Sequence, residues 1–121
     1  MTASGFVRRD GGLCAAQVPL PVIAAAAGTP AYVYTASTIR SRYRALADAF
    51  AGVDHHIHFA VKANSNLAVL ALLRELGAGV DIVSGGELQR ALAAGFSGAD
   101  VVFSGVGKTV DEIDAALTAG V

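Results

Sequence analysis

The sequence predicts an α/β protein built on a parallel sheet, and three observations carry that reading. Short apolar segments rich in Val, Ile and Phe alternate with longer segments of helical period. Each of these helical segments closes on a glycine, at Gly77, Gly95 and Gly120. Capping boxes of the form Ser/Thr-x-x-Glu, Ser84 with Glu87 and Thr109 with Glu112, open two of the helices directly after a strand. Strands that alternate with helices pair in parallel through right-handed crossovers, in an open doubly wound sheet or in a closed barrel.

The elements follow in chain order. Residues 1–28 hold glycine, proline and short apolar patches, which predicts a strand or two and a short alanine-rich helix over about Val22 to Ala27, closed by Gly28. Beyond Thr29-Pro30, the run Ala31-Tyr32-Val33-Tyr34 is a strand by residue type. Ser37 offers an N-cap to an amphipathic helix in which Ile39, Tyr43, Leu46 and Phe50 recur at helical spacing, with Arg40, Arg42 and Arg44 on a solvated face. His56 to Ala63 reads as a buried strand whose period of two sets His58, Ala60 and Lys62 opposite Ile57, Phe59 and Val61. A helix over about Asn66 to Leu76 follows it. Val80 to Val83 then precedes a helix over about Gly86 to Ala94, and Val101 to Phe103 precedes one over about Val110 to Ala119. That makes three βα units in a row. A closed (β/α)₈ barrel takes about 250 residues, so the expectation is the N-terminal part of a longer protein.

Composition narrows the function classes. Of 121 residues, 54% are hydrophobic and only 16% are charged, too apolar for disorder and greasy for so short a chain, which suggests surface covered by further chain. A net charge of −1 with no basic stripe offers nucleic acid no electrostatic footprint. Cys14 is the single cysteine, which leaves no disulfide framework and fits a reducing, cytoplasmic setting. Arg8-Arg9 before the apolar run from Leu20 to Ala27 faintly imitates an export signal, but Gln17, Pro19 and Pro21 interrupt it. No stretch approaches the roughly twenty apolar residues of a membrane helix.

Lys62 is the residue that asks for a reason, since its ammonium follows Phe59-Ala60-Val61 in a strand-like run. On a buried strand it either reaches water or a carboxylate, or becomes neutral and nucleophilic, the route by which imine-forming lysines arise. Lys62, Asn64, Asp81, Ser84 and Glu87 all fall at or just beyond strand ends, the face where parallel α/β proteins place their sites. Asp81 lies within an apolar strand, and an ion pair with Lys62 on the neighbouring strand would relieve its burial. Ser84 and Glu87 are accounted for mainly by capping. Gly105-Val106-Gly107-Lys108-Thr109 ends like a phosphate-binding loop, yet the position of its first glycine holds Val102; Gly77-Ala78-Gly79 fails as a dinucleotide fingerprint, its third glycine falling on Ile82. His55, His56 and His58 stand at a strand entry without a carboxylate at metal-ligand spacing, and no function is assigned to them.

Four segments in order resemble the diaminopimelate decarboxylases: Gly28-Thr29-Pro30-Ala31-Tyr32-Val33-Tyr34, Phe59-Ala60-Val61-Lys62-Ala63-Asn64-Ser65-Asn66, Gly79 to Leu88 with Ser84-Gly85-Gly86-Glu87, and Phe103 to Thr109. Alanine racemases share the lysine and the fold, but Ser65-Asn66-Leu67 is similar to the decarboxylase branch. The resemblance implies the pyridoxal 5′-phosphate-binding barrel of the alanine-racemase-like fold. Residues 1–35 would be an N-terminal segment of a β domain, and residues 36–121 the first part of the barrel. It implies that Lys62 holds the cofactor covalently, that Asp81 lies close to both, and that Ser84 and Glu87 border the site. It further implies decarboxylation of meso-2,6-diaminopimelate to L-lysine and carbon dioxide by a cytoplasmic homodimer, with neither nucleic acid nor membrane as partner. The family's pyridine-nitrogen acid, ring-stacking histidine, phosphate loop and substrate arginines have no match in these residues, so the 121-residue chain alone is expected to be inactive. Decarboxylases of ornithine, arginine or carboxynorspermidine on the same fold, and a non-catalytic pyridoxal-phosphate barrel protein, remain the alternatives.

Overall fold

A computed structural model describes residues 5–121. The chain divides into two compact units, Met1–Asp48 and Ala49–Val121. In the first, strands β1 (Phe6–Arg9), β2 (Gly12–Ala15) and β3 (Val18–Pro19) form an antiparallel sheet in the order β1-β2-β3. The register pairs Arg9 with Gly12, leaving Asp10-Gly11 as a two-residue turn, both with positive φ (49° and 78°). Such a turn matches the strand twist, and Asp-Gly is its usual sequence signal, so the hairpin was legible where only a strand or two was expected. Helix α1 (Leu20–Ala27) starts with Pro at its first turn and ends at Gly28, as expected.

Two expectations in this unit need correction. Ala31-Tyr32-Val33-Tyr34 pairs with nothing and is no strand; Tyr32 and Tyr34 are exposed. Residue type favours a pleated, half-buried surface, and without a neighbouring strand there is no ladder to realise it. Helix α2 (Ala36–Ala49) starts ahead of Ser37, because Thr35 opens it: the Thr35 carbonyl accepts the amides of Thr38 and Ile39, and the Thr35 and Thr38 hydroxyls meet at 2.6 Å.

The second unit is the predicted run of three βα units. Strands β4 (His58–Ala60), β5 (Gly79–Ile82) and β6 (Val101–Phe103) pair in parallel in that order. Helices α3 (Leu67–Glu75), α4 (Gly85–Ala93) and α5 (Val110–Thr118) follow them in turn. All three helices end alike. At Gly77, Gly95 and Gly120 the glycine amide bonds back to Arg74, Leu92 and Leu117, and the next residue's amide bonds to Leu73, Ala91 and Ala116. This is the Schellman closure; all three glycines have positive φ, and it steers Ala78, Phe96 and Val121 back toward the sheet.

Register then sorts the side chains. Val80 and Ile82 on β5, with Phe59, Val101 and Phe103 beside them, face the helices and pack with Leu70, Leu88, Ala91 and Ala116. Leu70, Ile82, Val61 and Val80 are fully buried. Each such side chain contributes about 1.5–3 kcal/mol on leaving water. Alternation sends Ala60, Asp81 and Val102, register partners across the three strands, to the opposite face.

One difference bears on function. The strand expected over His56 to Ala63 stops at Ala60, and Val61–Ala63 forms a single 3₁₀ turn closed by the Asn64 amide on the Val61 carbonyl at 3.1 Å. Val61 turns into the core while Lys62 points out and is exposed. Lys62 therefore lies in the turn after β4 and reaches water, one of the two outcomes left open for it on a strand.

Candidate active site

The three turns that leave the C-terminal ends of β4, β5 and β6 bring the sequence-predicted residues to one end of the sheet. In the first, Lys62 sits two residues beyond Ala60, whose register partner on β5 is Asp81. Asn64 and Asn66 hold this turn: the Asn64 side chain accepts the Asn66 amide at 3.0 Å, and the Asn66 side chain caps α3 by accepting the Ala68 amide at 2.9 Å. Lys62 takes part in none of these bonds and remains an exposed amine above them.

Asp81 sits on β5 with its Oδ1 atom buried and without a hydrogen-bond partner. The expected ion pair with Lys62 is therefore not formed: the lysine projects from its turn into solvent while the carboxylate stays within the strand. An unmatched buried acceptor costs about 1–3 kcal/mol. Among the described residues it is the only buried side-chain nitrogen or oxygen left in that condition.

The turn after β5 is knit by its own side chains. Ser84 caps α4 through an Oγ that accepts the Glu87 amide at 3.3 Å, while a Glu87 carboxylate oxygen accepts the Val83 amide at 2.7 Å. The expected Ser-x-x-Glu box is thus present with its return arm moved one residue, from Ser84 to Val83. The turn after β6 carries the full Thr109–Glu112 box, the Glu112 carboxylate accepting the Thr109 amide at 2.9 Å and hydroxyl at 3.1 Å. Glu112 also reaches across to accept the Gly85 amide at 2.8 Å. These donors hold the Glu112 carboxyl below its usual range, the Thr109 amide contributing most and the Gly85 amide next. Sequence reasoning found the box but not this second arm, because a box uses one carboxylate oxygen and nothing in the spacing tells where the other goes. The same holds for Arg90, whose guanidinium donates to the Ser65 carbonyl at 3.1 Å and so ties α4 to the loop that follows Lys62.

Of the other flagged groups, the histidines and Cys14 are placed apart from this end, while Lys108 lies in the turn after β6. The rings of His56 and His58 meet in a tilted contact, 4.7 Å between centroids, at the entry to β4, and His58 meets the Val80 carbonyl at 3.3 Å. Lys108 bonds the Gly105 carbonyl at 2.8 Å and lies 5.0 Å from the Phe103 ring centroid, folded over its own loop. Cys14 is buried and free in the first unit. No described helix is long and apolar enough to cross a membrane.

This geometry can be set beside known proteins. The family profile described as pyridoxal-dependent decarboxylase, pyridoxal binding domain, matches residues 36–121, the greater part of the chain. The chain belongs to this family. Diaminopimelate decarboxylase of Pseudomonas aeruginosa is 59% identical over 116 residues, covering 96% of this chain and 28% of that protein. The crystal structure of diaminopimelate decarboxylase from M. jannaschii in complex with L-lysine superposes with a TM-score of 0.87 at 34% identity, over 94% of this chain and 28% of that one. Lysine/ornithine decarboxylase from Vibrio vulnificus, complexed with putrescine, gives 0.76 at 26% identity, over 84% of this chain and 27% of that one. The chain therefore spans little more than a quarter of the length of these pyridoxal-dependent relatives.

Proposed function

We propose that this chain forms the first wall of a pyridoxal 5′-phosphate site in a decarboxylase acting on meso-2,6-diaminopimelate, releasing carbon dioxide and L-lysine. The observation that carries the reading is the pairing of an exposed, unengaged Lys62 with a buried, unmatched Asp81 oxygen on the adjoining strand, at the end of the sheet where such folds place their chemistry. A cofactor with an aldehyde and hydrogen-bonding ring substituents answers both needs. Bound there, the cofactor supplies an electron sink for the departing carboxylate's electrons. The chain's own residues do the rest of the work on this side of the site. Lys62 holds the cofactor covalently, its amine reachable from solvent. The Asp81 oxygen accepts a hydrogen bond from the bound group. Ser84 and Glu87, spending polar atoms on one another's turn, border the site and fix its floor.

Residues 36–121 are assigned to the barrel, where the family match begins, and residues 1–35 to a segment of a separate β domain. The whole enzyme is proposed to work as a homodimer in the cytoplasm, on a free amino acid. Higher identity to diaminopimelate decarboxylases than to the lysine/ornithine enzyme favours that substrate.

A graft tests the reading. This chain, substituted for the matching portion of the Pseudomonas aeruginosa enzyme, is expected to sustain carbon dioxide release from meso-diaminopimelate, and Lys62→Ala in the graft to abolish it. Full activity in the Lys62→Ala graft would sink the assignment, and release from ornithine alone would move the substrate. The 121-residue chain by itself is expected to release none.

A further inference from the structure

Glu112 was expected only to cap its own helix, yet its carboxylate takes three hydrogen bonds from two different turns. Two come from Thr109, which opens α5, and the third comes from Gly85, 27 residues earlier, at 2.8 Å. Gly85 is the first residue of α4, and its amide is one of the donors that a helix start leaves without an intrahelical partner. Gly85 suits this close approach: a Cβ built there would lie 3.1 Å from the Glu112 Cγ. With the Glu87 amide on Ser84 and the Val83 amide on Glu87, three amides around this helix start are taken by the protein's own oxygens, two of the three acceptors being carboxylates. The Gly85 amide is thus occupied by the chain itself. Helix α4, fixed at this end by Glu112, is tied through Arg90 to the Ser65 carbonyl in the loop that follows Lys62. A continuous path of bonded groups runs from α5 through α4 to the lysine turn.

We propose that Glu112 is a positioning residue of the site: by bridging the turns after β5 and β6 it sets the seat of α4, and with it the placement of Ser84, Glu87 and the Lys62 loop. This rests on the reading of Lys62 as the cofactor lysine. Glu112 does not touch the cofactor and acts through α4.

The test uses the 121-residue chain, which holds two lysines, Lys62 and Lys108. Pyridoxal 5′-phosphate is added, borohydride fixes what is bound, and peptide mass spectrometry gives the occupancy of each lysine. In parallel, amide NMR follows Gly85 and Thr109 as pH falls. Glu112→Gln keeps the size of the side chain but offers one acceptor oxygen in place of two. Expected in the parent chain are preference for Lys62 over Lys108 and Gly85 and Thr109 amide shifts that titrate together. Expected in Glu112→Gln, at an unchanged fold by amide dispersion, are loss of the joint titration and an occupancy of Lys62 about fivefold lower, the fold-change one hydrogen bond is worth. Glu112→Ala, with no acceptor at all, is expected to fall at least as far. Unchanged Lys62 occupancy in both variants, or a Gly85 amide that ignores Glu112, overturns the proposal. A parent chain that prefers Lys108 overturns the cofactor reading itself, and the proposal with it, while the Gly85 titration reports the bridge independently.

Discussion

The turn after β4 and the turn after β5 start from neighbouring strands, yet they are held in opposite ways. Neutral asparagines secure the first from within: Asn64 and Asn66 accept amides two residues on, and Lys62 projects free of them. Carboxylates secure the second, one from Glu87 four residues on and one from Glu112 on the next helix. A turn stabilised by short-range neutral bonds can present a reactive amine without a rival anion beside it. A turn clamped by charge-assisted bonds is held more strongly. On the proposed reading, the contrast is a division of labour, in which one turn offers the cofactor lysine and the other holds the floor beside it.

The largest expected effect tests the common foundation. Ile82 ends β5 fully buried beneath the clamped turn. Ile82→Ala removes packed apolar volume at about 3 kcal/mol, read as a shift in the urea midpoint. If the clamped turn owes its geometry to carboxylates as well as to packing, the Gly85 amide of this variant keeps its titration with pH under folding conditions. Loss of that titration at an unchanged fold would show the core, rather than Glu112, to be what holds the turn.

A smaller effect of opposite sign is expected one residue earlier. Asp81 carries a buried oxygen without a partner, a cost that the folded chain bears and a bound group would relieve. Asp81→Val, a residue suited to a strand, is expected to raise stability by about 1 kcal/mol while lowering pyridoxal occupancy of Lys62. Stabilisation gained at the expense of binding is the signature of a residue kept for function. If Asp81→Val destabilises the chain, the oxygen has a partner in solution and the case for a binding role weakens.

How far these features were legible depends on the range of the interaction. Strand and helix alternation, the glycine closures and the Thr109–Glu112 box are written within a few residues of one another, and the parallel sheet followed from them. The end of β4 was not. Val61 is apolar whether it continues a strand or turns into the core, so the pattern could not tell that Lys62 had left the ladder. Ala31 to Tyr34 erred for the converse reason, since residue type alone cannot supply the partner strand that a ladder requires. At the site, Lys62 and Asp81 stood out because charge within apolar runs is costly and visible. The Glu112–Gly85 and Arg90–Ser65 links span 27 and 25 residues, and only the folded chain brings those atoms together.

The smallest effect is the sharpest test of the contrast between the turns, because it asks only whether charge is present. Glu112 is held below its usual range first by the Thr109 amide, and Asp100 first by the Ser97 hydroxyl, which donates at 2.7 Å beside the Ser97 amide at 2.9 Å. A carboxyl depressed in the folded chain contributes stability that is full above its unfolded pKa and is lost as pH falls through the folded value. The amides of Gly85, Thr109 and Ser97 should therefore shift together only below the usual carboxylate range. Those of Asn66 and Ala68, bonded to neutral side chains, should shift less through the same interval, and only by way of the Arg90–Ser65 bond. Glu112 and Asp100 are both half-exposed at the surface, so the accompanying loss of stability is expected to be slight and the amide shifts are the measurement to make. Asn66 or Ala68 moving in step with Gly85 would mean that the two turns respond as one body, with the Arg90–Ser65 bond carrying the change across. A lysine turn that stays still while its neighbour is discharged would count against Glu112 as a positioning residue of the site.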